Sequence, residues 1–122
     1  MAPPRGIAAK QYADAPIYLD GVQVAQGQIA LSRGNALPVE IGRNGAGAGK
    51  YFQGKIDDVR IWSVARSGAE IAAHYRQQLA SAPAGLVANW KLDEPTGTLA
   101  ADSAAAHDAR VTGGAAFVAL VR

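Results

Sequence analysis

The chain has 122 residues, which is enough for one domain with a hydrophobic core and too few for two domains of ordinary size. Its formal charge is +2 and its basic residues form no cluster, which argues against a nucleic-acid-binding surface. It contains no cysteine, which excludes disulfide bonds and cysteine-ligated zinc, and no apolar segment approaches the roughly 20 residues of a membrane-spanning helix.

The N-terminal part predicts an arm followed by a hairpin. Residues 1–15 are assigned to the arm, because adjacent prolines and a glycine disfavour regular structure and the stretch lacks the apolar core of a signal peptide. Residues 17–25 predict two short strands around Asp20 and Gly21, a pair that tolerates the positive φ angles of a hairpin turn. A further strand is predicted at 28–31.

The middle of the chain predicts two more strands. Residues 38–42 alternate apolar and polar side chains and predict a strand, after which a glycine-rich stretch predicts a loop. A second strand is predicted at 53–62. If Val59 and Ile61 face the core there, alternation carries Asp57 inward with them. A buried carboxylate needs a hydrogen bond, an ion pair or a metal.

Residues 67–79 predict the single helix. Ser67 and Glu70 have the spacing of a capping box at its start. Three apolar residues spaced four apart predict its buried face: Ile71, Tyr75 and Leu79.

The C-terminal part predicts a strand with a clear amphipathic pattern at 86–92. Its core-facing residues are Leu86, Ala88, Trp90 and Leu92, and they alternate with Val87, Asn89 and Lys91 on the other face. Two final strands are predicted at 110–112 and 116–121.

Four motifs occur together in this chain. They are YLDGV at 18–22, IGRN at 41–44, YFQGKIDDVRIWSVARSGAEIAAHY at 51–75 and GLVANWKLDEPTGTLAADS at 85–103. Together they resemble the laminin-G-like, concanavalin-A-like lectin/glucanase jelly-roll family. The resemblance implies an all-β fold, a jelly-roll-like antiparallel β-sandwich with one short α-helix at about 67–79. The single lectin-like sandwich would comprise residues 16–122.

The order of the motifs departs from the family. The segment that typically opens the domain, 85–103, follows the segment that typically closes it, 51–75, and the central strands are missing. Half a sandwich would expose sheet edges and an apolar face. Either the chain closes a reduced sandwich with its own strands, or neighbouring copies complete one another by strand addition. The second interpretation predicts a homo-oligomer or a filament.

The resemblance also implies a calcium ion between the loop after the opening strand and the final strand. Asp57 and Asp102 are its implied ligands, since calcium prefers carboxylate and carbonyl oxygens. The alternative is that Asp102 caps a turn while Asp57 is hydrogen-bonded within the sheet.

A ligand-binding site is predicted beside the glycine-rich loop. Sugar-binding sites combine an aromatic platform with fixed polar groups. Tyr51 and Phe52 follow the loop as an exposed aromatic pair, whereas Trp90 and Tyr75 are assigned to the core. The predicted ligand-binding residues are therefore Arg43, Asn44, Tyr51 and Phe52. The alternative is that Phe52 closes the end of the sandwich.

No catalytic constellation is evident, so the sequence predicts a protein without enzymatic activity. Asp93 and Glu94 are adjacent and would point to opposite faces of a strand, whereas glycoside hydrolysis needs two carboxylates across a cleft. His74 and His107 have no partner at metal-ligand spacing.

Two hypotheses of function remain. The first is a lectin-like module for glycan or surface-polymer recognition or adhesion. The second is a self-assembling structural protein, such as a virion decoration protein or an extracellular filament subunit. Both predict an extracellular, cell-surface or virion-surface location, without nucleic-acid binding or membrane insertion.

Overall fold

The computed structural model describes residues 12–30, 37–43 and 50–119, which contain six strands and one helix. Most of the predicted arm, Asn44 and the last three residues lie outside the described part of the chain. The chain divides into two compact units. The hairpin unit comprises Met1–Val39 and Gly68–Tyr75, and the core unit comprises Glu40–Ser67 and Arg76–Arg122.

An antiparallel hairpin dominates the hairpin unit. Strand β1, Tyr12–Leu19, pairs with β2, Val22–Ala30. Asp20 and Gly21 form the turn with φ angles of 51° and 79°, and two positive values match the right-handed twist of the strands they join. The predicted hairpin is confirmed. It is longer than predicted, because Tyr12 and the residues after it pair with the end of β2 instead of belonging to an arm.

Helix α1, Gly68–His74, packs against the turn end of this hairpin. A Cβ atom at Gly68 would lie 3.1 Å from the Tyr18 hydroxyl oxygen. A Cβ atom at Gly21 would lie 2.8 Å from the ring of Tyr75, which is closer than side chains tolerate. The two glycines therefore permit the close approach of helix and turn.

The helix is shorter than the predicted 67–79. Its last hydrogen bond joins Tyr75 N to Ile71 O, and Tyr75 is nearly half exposed. Beyond it the carbonyl of Gln77 accepts a hydrogen bond from Arg60, and Leu79 is buried in the core unit. The prediction of one buried helical face, and of Tyr75 as a core residue, is therefore wrong, because contacts made after residue 75 draw the chain out of the helix.

Two strand pairs form the core unit. Strand β3, Val59–Trp62, pairs with β4, Leu86–Trp90, and β5, Leu99–Ala100, pairs with β6, Ala109–Arg110. Every pairing among the described strands is antiparallel, which confirms the all-β class with one short helix. The jelly-roll arrangement stays a prediction.

The core unit closes around Trp90. Trp90 packs with Ala88 and Ala100, and its indole N–H donates to the His107 carbonyl at 2.7 Å. Val59 faces Trp90 and Ile61 faces Ala88 across the β3–β4 pair, so the predicted core faces of both strands are confirmed.

The strand limits differ from the predictions where the backbone leaves the extended region. Strand β3 begins at 59, not at 53, because Asp58 has a φ of 51°. Strand β4 ends before Leu92, whose φ is 61°. No strand forms over 38–42, where Gly42 has a φ of 86°. Residues 111–119 contain no strand either, so the predicted final pair is reduced to β6.

Helix α1 has seven residues, so no helix in the described ranges has the length to cross a membrane.

Candidate functional site

The aromatic site lies in the core unit, in the residues that flank the glycine-rich stretch 44–49, and that stretch lies outside the described residues. Arg43 and Tyr51 form an antiparallel bridge, and Phe52 N donates to Gly42 O at 2.8 Å. These two contacts hold the two flanking segments together. They bring three of the four predicted ligand-binding residues side by side, and the fourth, Asn44, lies outside the described residues.

Both aromatic side chains of this site are open to solvent. Tyr51 is 61% exposed and Phe52 is 58% exposed. The Phe52 ring lies over the backbone of Gly54, where a Cβ atom would be 2.9 Å from the ring carbons. The Phe52 ring therefore has one side against the backbone of Gly54, and the two aromatic residues are about equally exposed.

An ion pair supplies the polar part of the aromatic site. Arg43 Nε lies 2.8 Å from Glu40 Oε2, and both side chains are partly exposed. The pair orients the guanidinium group through Nε. The guanidinium donors belong to Arg43, the residue that pairs with Tyr51, and the carboxylate acceptor belongs to Glu40.

A second cluster surrounds Asn89, which is only 1% exposed. Its Nδ2 donates to Asp58 Oδ1 at 2.8 Å and to Val59 O at 3.1 Å. Its backbone N–H donates to Asp102 Oδ1 at 2.8 Å. Sequence alternation placed Asn89 on the face opposite the apolar residues of its strand, and the structure buries it on that face. Polar neighbours bury Asn89 there.

The buried carboxylate of Asp102 accepts four hydrogen bonds from the protein. Its Oδ1 accepts from Asn89 N at 2.8 Å and from Ala104 N at 2.9 Å. Its Oδ2 accepts from His107 N at 3.1 Å and from His107 Nδ1 at 2.9 Å. Burial alone would raise the pKa of Asp102, but these donors outweigh it and hold that pKa well below its ordinary value.

This arrangement bears on the calcium ligands that the resemblance implied. A carboxylate offers about four lone-pair directions, and Asp102 accepts four hydrogen bonds from protein groups. The described residues contain no group of three or more histidine, aspartate or glutamate side chains that could hold a metal ion. The bond from Ala104 N to Asp102 Oδ1 is that of a turn cap, which agrees with the alternative to calcium binding.

Asp57 and Asp58 differ in their relation to this cluster. Asp57 is half-buried, and it is its neighbour Asp58 that accepts the hydrogen bond from Asn89 Nδ2. The carboxylate of Asp58 also pairs with Arg60, whose terminal nitrogen lies 2.5 Å from Asp58 Oδ2. Both side chains of this pair are mostly buried. Calcium binding by Asp57 and Asp102 stays a prediction.

Comparison with models of known protein families identifies the superfamily of this chain. A laminin G-type model, described as the concanavalin A-like lectin/glucanases superfamily, matches residues 8–72, more than half of the chain. The chain belongs to this superfamily, as its motifs predicted, and is a lectin-like or binding module at that level. The match includes the hairpin, the aromatic site and β3, and it ends before residues 85–103. Searches of the curated proteins and of the solved structures gave no significant match.

Proposed function

We propose that this chain is a non-enzymatic binding module that recognises a glycan or a surface polymer through Arg43, Tyr51 and Phe52. The observation that carries the proposal is the exposure of two adjacent aromatic side chains, 61% and 58%, beside the bridge between Arg43 and Tyr51. Exposed aromatic groups beside fixed polar groups are typical of sugar-binding surfaces, since a ring can cover the apolar face of a sugar while the polar groups bind its hydroxyls.

The ion pair beside the rings supports the same class of ligand. Sugar hydroxyl groups both donate and accept hydrogen bonds, and the Arg43–Glu40 pair provides donors and acceptors together. A neutral or weakly charged polymer suits this balanced pair better than a strongly charged one. An extracellular, cell-surface or virion-surface location and a role in adhesion are parts of this proposal.

The double variant Tyr51→Ala, Phe52→Ala tests the site. Because aromatic anchors carry much of the energy at such surfaces, we expect at least a tenfold loss of affinity, roughly 1.4 kcal/mol, for any glycan that the parent chain binds. Binding to a glycan array and to immobilised polysaccharides would measure the loss.

A matched control keeps that test specific. Leu99→Ala, Val118→Ala removes two other exposed apolar side chains of the core unit and should leave glycan retention unchanged. If the double aromatic variant is folded by circular dichroism and retains glycans as the parent does, the proposed site is wrong.

A second candidate function is that of a self-assembling structural protein. Each described strand belongs to a sheet of only two strands, so edges remain at which a neighbouring copy could add a strand. Under this proposal, light scattering should show a closed oligomer or a fibre. Amide hydrogens on the outer edges of the strands should exchange more slowly in the assembly than in dilute solution. A monomer at every concentration would contradict it.

A further inference from the structure

The two exposed rings of the aromatic site lie on opposite sides of the segment that carries them. Tyr51 and Phe52 are consecutive, and their segment pairs in an antiparallel, extended arrangement with the chain around Arg43. Consecutive side chains of an extended chain point to opposite faces, and every second side chain shares a face. The Phe52 ring agrees with this, since it lies against Gly54, two residues further on. One sugar ring therefore stacks on Tyr51 or on Phe52, but not on both.

Tyr51 shares its face with Arg43. Partners in an antiparallel bridge lie on the same face. The residue after Tyr51 donates its backbone N–H to the carbonyl of the residue before Arg43 at 2.8 Å, which is the pattern of a non-hydrogen-bonded pair. The Cα atoms of such a pair lie only about 4.5 Å apart, so the side chains are close neighbours. The tyrosine ring and the arginine side chain thus form one surface, the Tyr51–Arg43 face.

The guanidinium group on this face has donors available for a ligand. A guanidinium group donates through Nε and through two terminal nitrogens. The Nε atom of Arg43 lies 2.8 Å from Glu40 Oε2, and Glu40 is the partner of this group within the described part of the chain. The Arg43 side chain is 49% exposed, so its terminal nitrogens are accessible from solvent. The ion pair orients the plane of the group and balances its charge.

We propose that the Tyr51–Arg43 face selects the sugar, and that its ligand is a neutral sugar with hydroxyl groups on two adjacent carbons. The inference rests on the proposed function as a glycan-binding module. The terminal nitrogens of Arg43 present parallel donors in one plane, a fork that matches two oxygens side by side. Adjacent hydroxyl groups of a sugar offer such a pair of oxygens while the apolar face of the sugar ring stacks on Tyr51.

Glu40 distinguishes between two kinds of sugar that match the fork. The carboxylate of an acidic sugar also offers two oxygens side by side, but the carboxylate of Glu40 beside Arg43 repels a second negative charge. Hydroxyl groups carry no charge, and they also donate hydrogen bonds to a carboxylate such as that of Glu40. The charges of the face therefore favour the neutral sugar.

Phe52 has a different role in this arrangement. Because its ring lies on the opposite side of the segment, it contacts a different unit of a polymer from the one on the Tyr51–Arg43 face. An aromatic ring offers apolar contact to the face of any sugar unit. Loss of the Phe52 ring should therefore weaken polymer binding without changing which sugar is bound.

Two linear glucans that differ in their linkage test the proposal. Cellulose links its glucose units through the fourth carbon and leaves adjacent hydroxyl groups on each unit. Curdlan links them through the third carbon and leaves no adjacent pair within the chain. Depletion isotherms on particles of each polymer would measure both dissociation constants for the full chain. The parent should bind cellulose at least tenfold more tightly than curdlan, because only cellulose occupies both donors of the fork.

Two variants assign this selectivity to its residue. Arg43→Lys keeps a positive charge beside Glu40 but removes the planar fork, so the ratio of the two dissociation constants should fall to within about threefold. Phe52→Ala is the matched control on the opposite side and should keep the ratio of the parent. A merely structural effect of Arg43→Lys would weaken binding to both glucans by the same factor, and this result would contradict the proposal.

Four other results would overturn the inference. They are equal binding of the two glucans by the parent, retention of neither glucan, loss of the selectivity in Phe52→Ala, and retention of polygalacturonate in place of cellulose. The last would favour an acidic sugar. If the parent binds a glycan on the array and the double aromatic variant loses it, the proposed function stands although this inference fails.

Discussion

Asp102→Asn is expected to destabilise the chain by about 1–3 kcal/mol, since the amide replaces one acceptor oxygen with a donor group. If the amide oxygen stays toward Asn89 N and Ala104 N, the NH₂ group faces the backbone N–H and ring Nδ1 of His107, whose side chain is 58% exposed. Each buried donor left without an acceptor costs about 1–3 kcal/mol. Urea unfolding followed by tryptophan fluorescence would measure the change.

Asp108→Asn is the matched control for this substitution. Asp108 is exposed and its Oδ1 accepts one hydrogen bond, from Asp102 N at 2.9 Å. Asparagine retains an oxygen that can accept that bond, so the loss should be below about 1 kcal/mol. Equal destabilisation by both variants would contradict the central role of the Asp102 carboxylate.

The depressed pKa of Asp102 adds a dependence on pH to the same prediction. In the unfolded chain this carboxyl group takes up its proton near pH 4, whereas in the folded chain it does so only at lower pH. Its contribution to stability is therefore present above about pH 4 and is lost as the pH falls through the folded pKa. Asp102→Asn should lack this part of the acid sensitivity. Parallel stability curves for parent and variant below pH 4 would refute the assignment.

The substitution Trp90→Ala is expected to cost about 3–5 kcal/mol, which is a large share of the stability of a small domain. The indole group is buried against Ala88 and Ala100, and the partly buried hydrophobic side chains around it would have to shift to fill the cavity it leaves. Thermal unfolding by calorimetry or circular dichroism would show a strongly lowered or lost transition.

Two more conservative variants test the same prediction if Trp90→Ala does not fold. Trp90→Phe keeps most of the ring but removes the donor to the His107 carbonyl, so it should cost about 1–3 kcal/mol. Trp62→Phe is its control, because Trp62 is only half-buried and lies under the Arg66 guanidinium, 3.9 Å from the ring centroid. That change should cost less than about 1 kcal/mol. If the two tryptophans respond alike, Trp90 is not the centre of the core.

The parts of the fold that sequence predicts best are those specified by local chemistry. Asp20 and Gly21 predict the hairpin because few other pairs adopt two positive φ angles. Alternation over β4 predicts Trp90 in the core, since apolar residues at every second position of a strand lie on the same face.

The parts that sequence misses depend on contacts between distant residues. Asn89 occupies a polar position in the strand pattern. It is buried among distant polar partners such as Asp58, which lies 31 residues earlier and accepts a hydrogen bond from its side chain. The end of α1 is set by the bond between Arg60 and Gln77, which overrides the helical propensity of residues 76–79. Strand β5 has two residues, too few for any pattern to indicate it.

The candidate site divides in the same way. The position of Tyr51 and Phe52 after a glycine-rich loop predicts exposed rings, and their side chains are exposed. The motif drew attention to Asp102, but three of its four donors are backbone N–H groups, which every residue except proline possesses. No sequence pattern distinguishes a carboxylate bound by such groups from one that binds a metal.

The division of the hairpin unit along the chain has a consequence for synthesis on the ribosome. The strands of the hairpin emerge early, but the helix that packs on its turn, Gly68–His74, follows only after the first stretch of the core unit. A two-stranded hairpin by itself is marginally stable in water. The nascent chain therefore carries the β1–β2 hairpin without its helix until residue 75 has emerged. If synthesis halts when the last emerged residue lies within 40–67, the hairpin is exposed to chaperones and proteases.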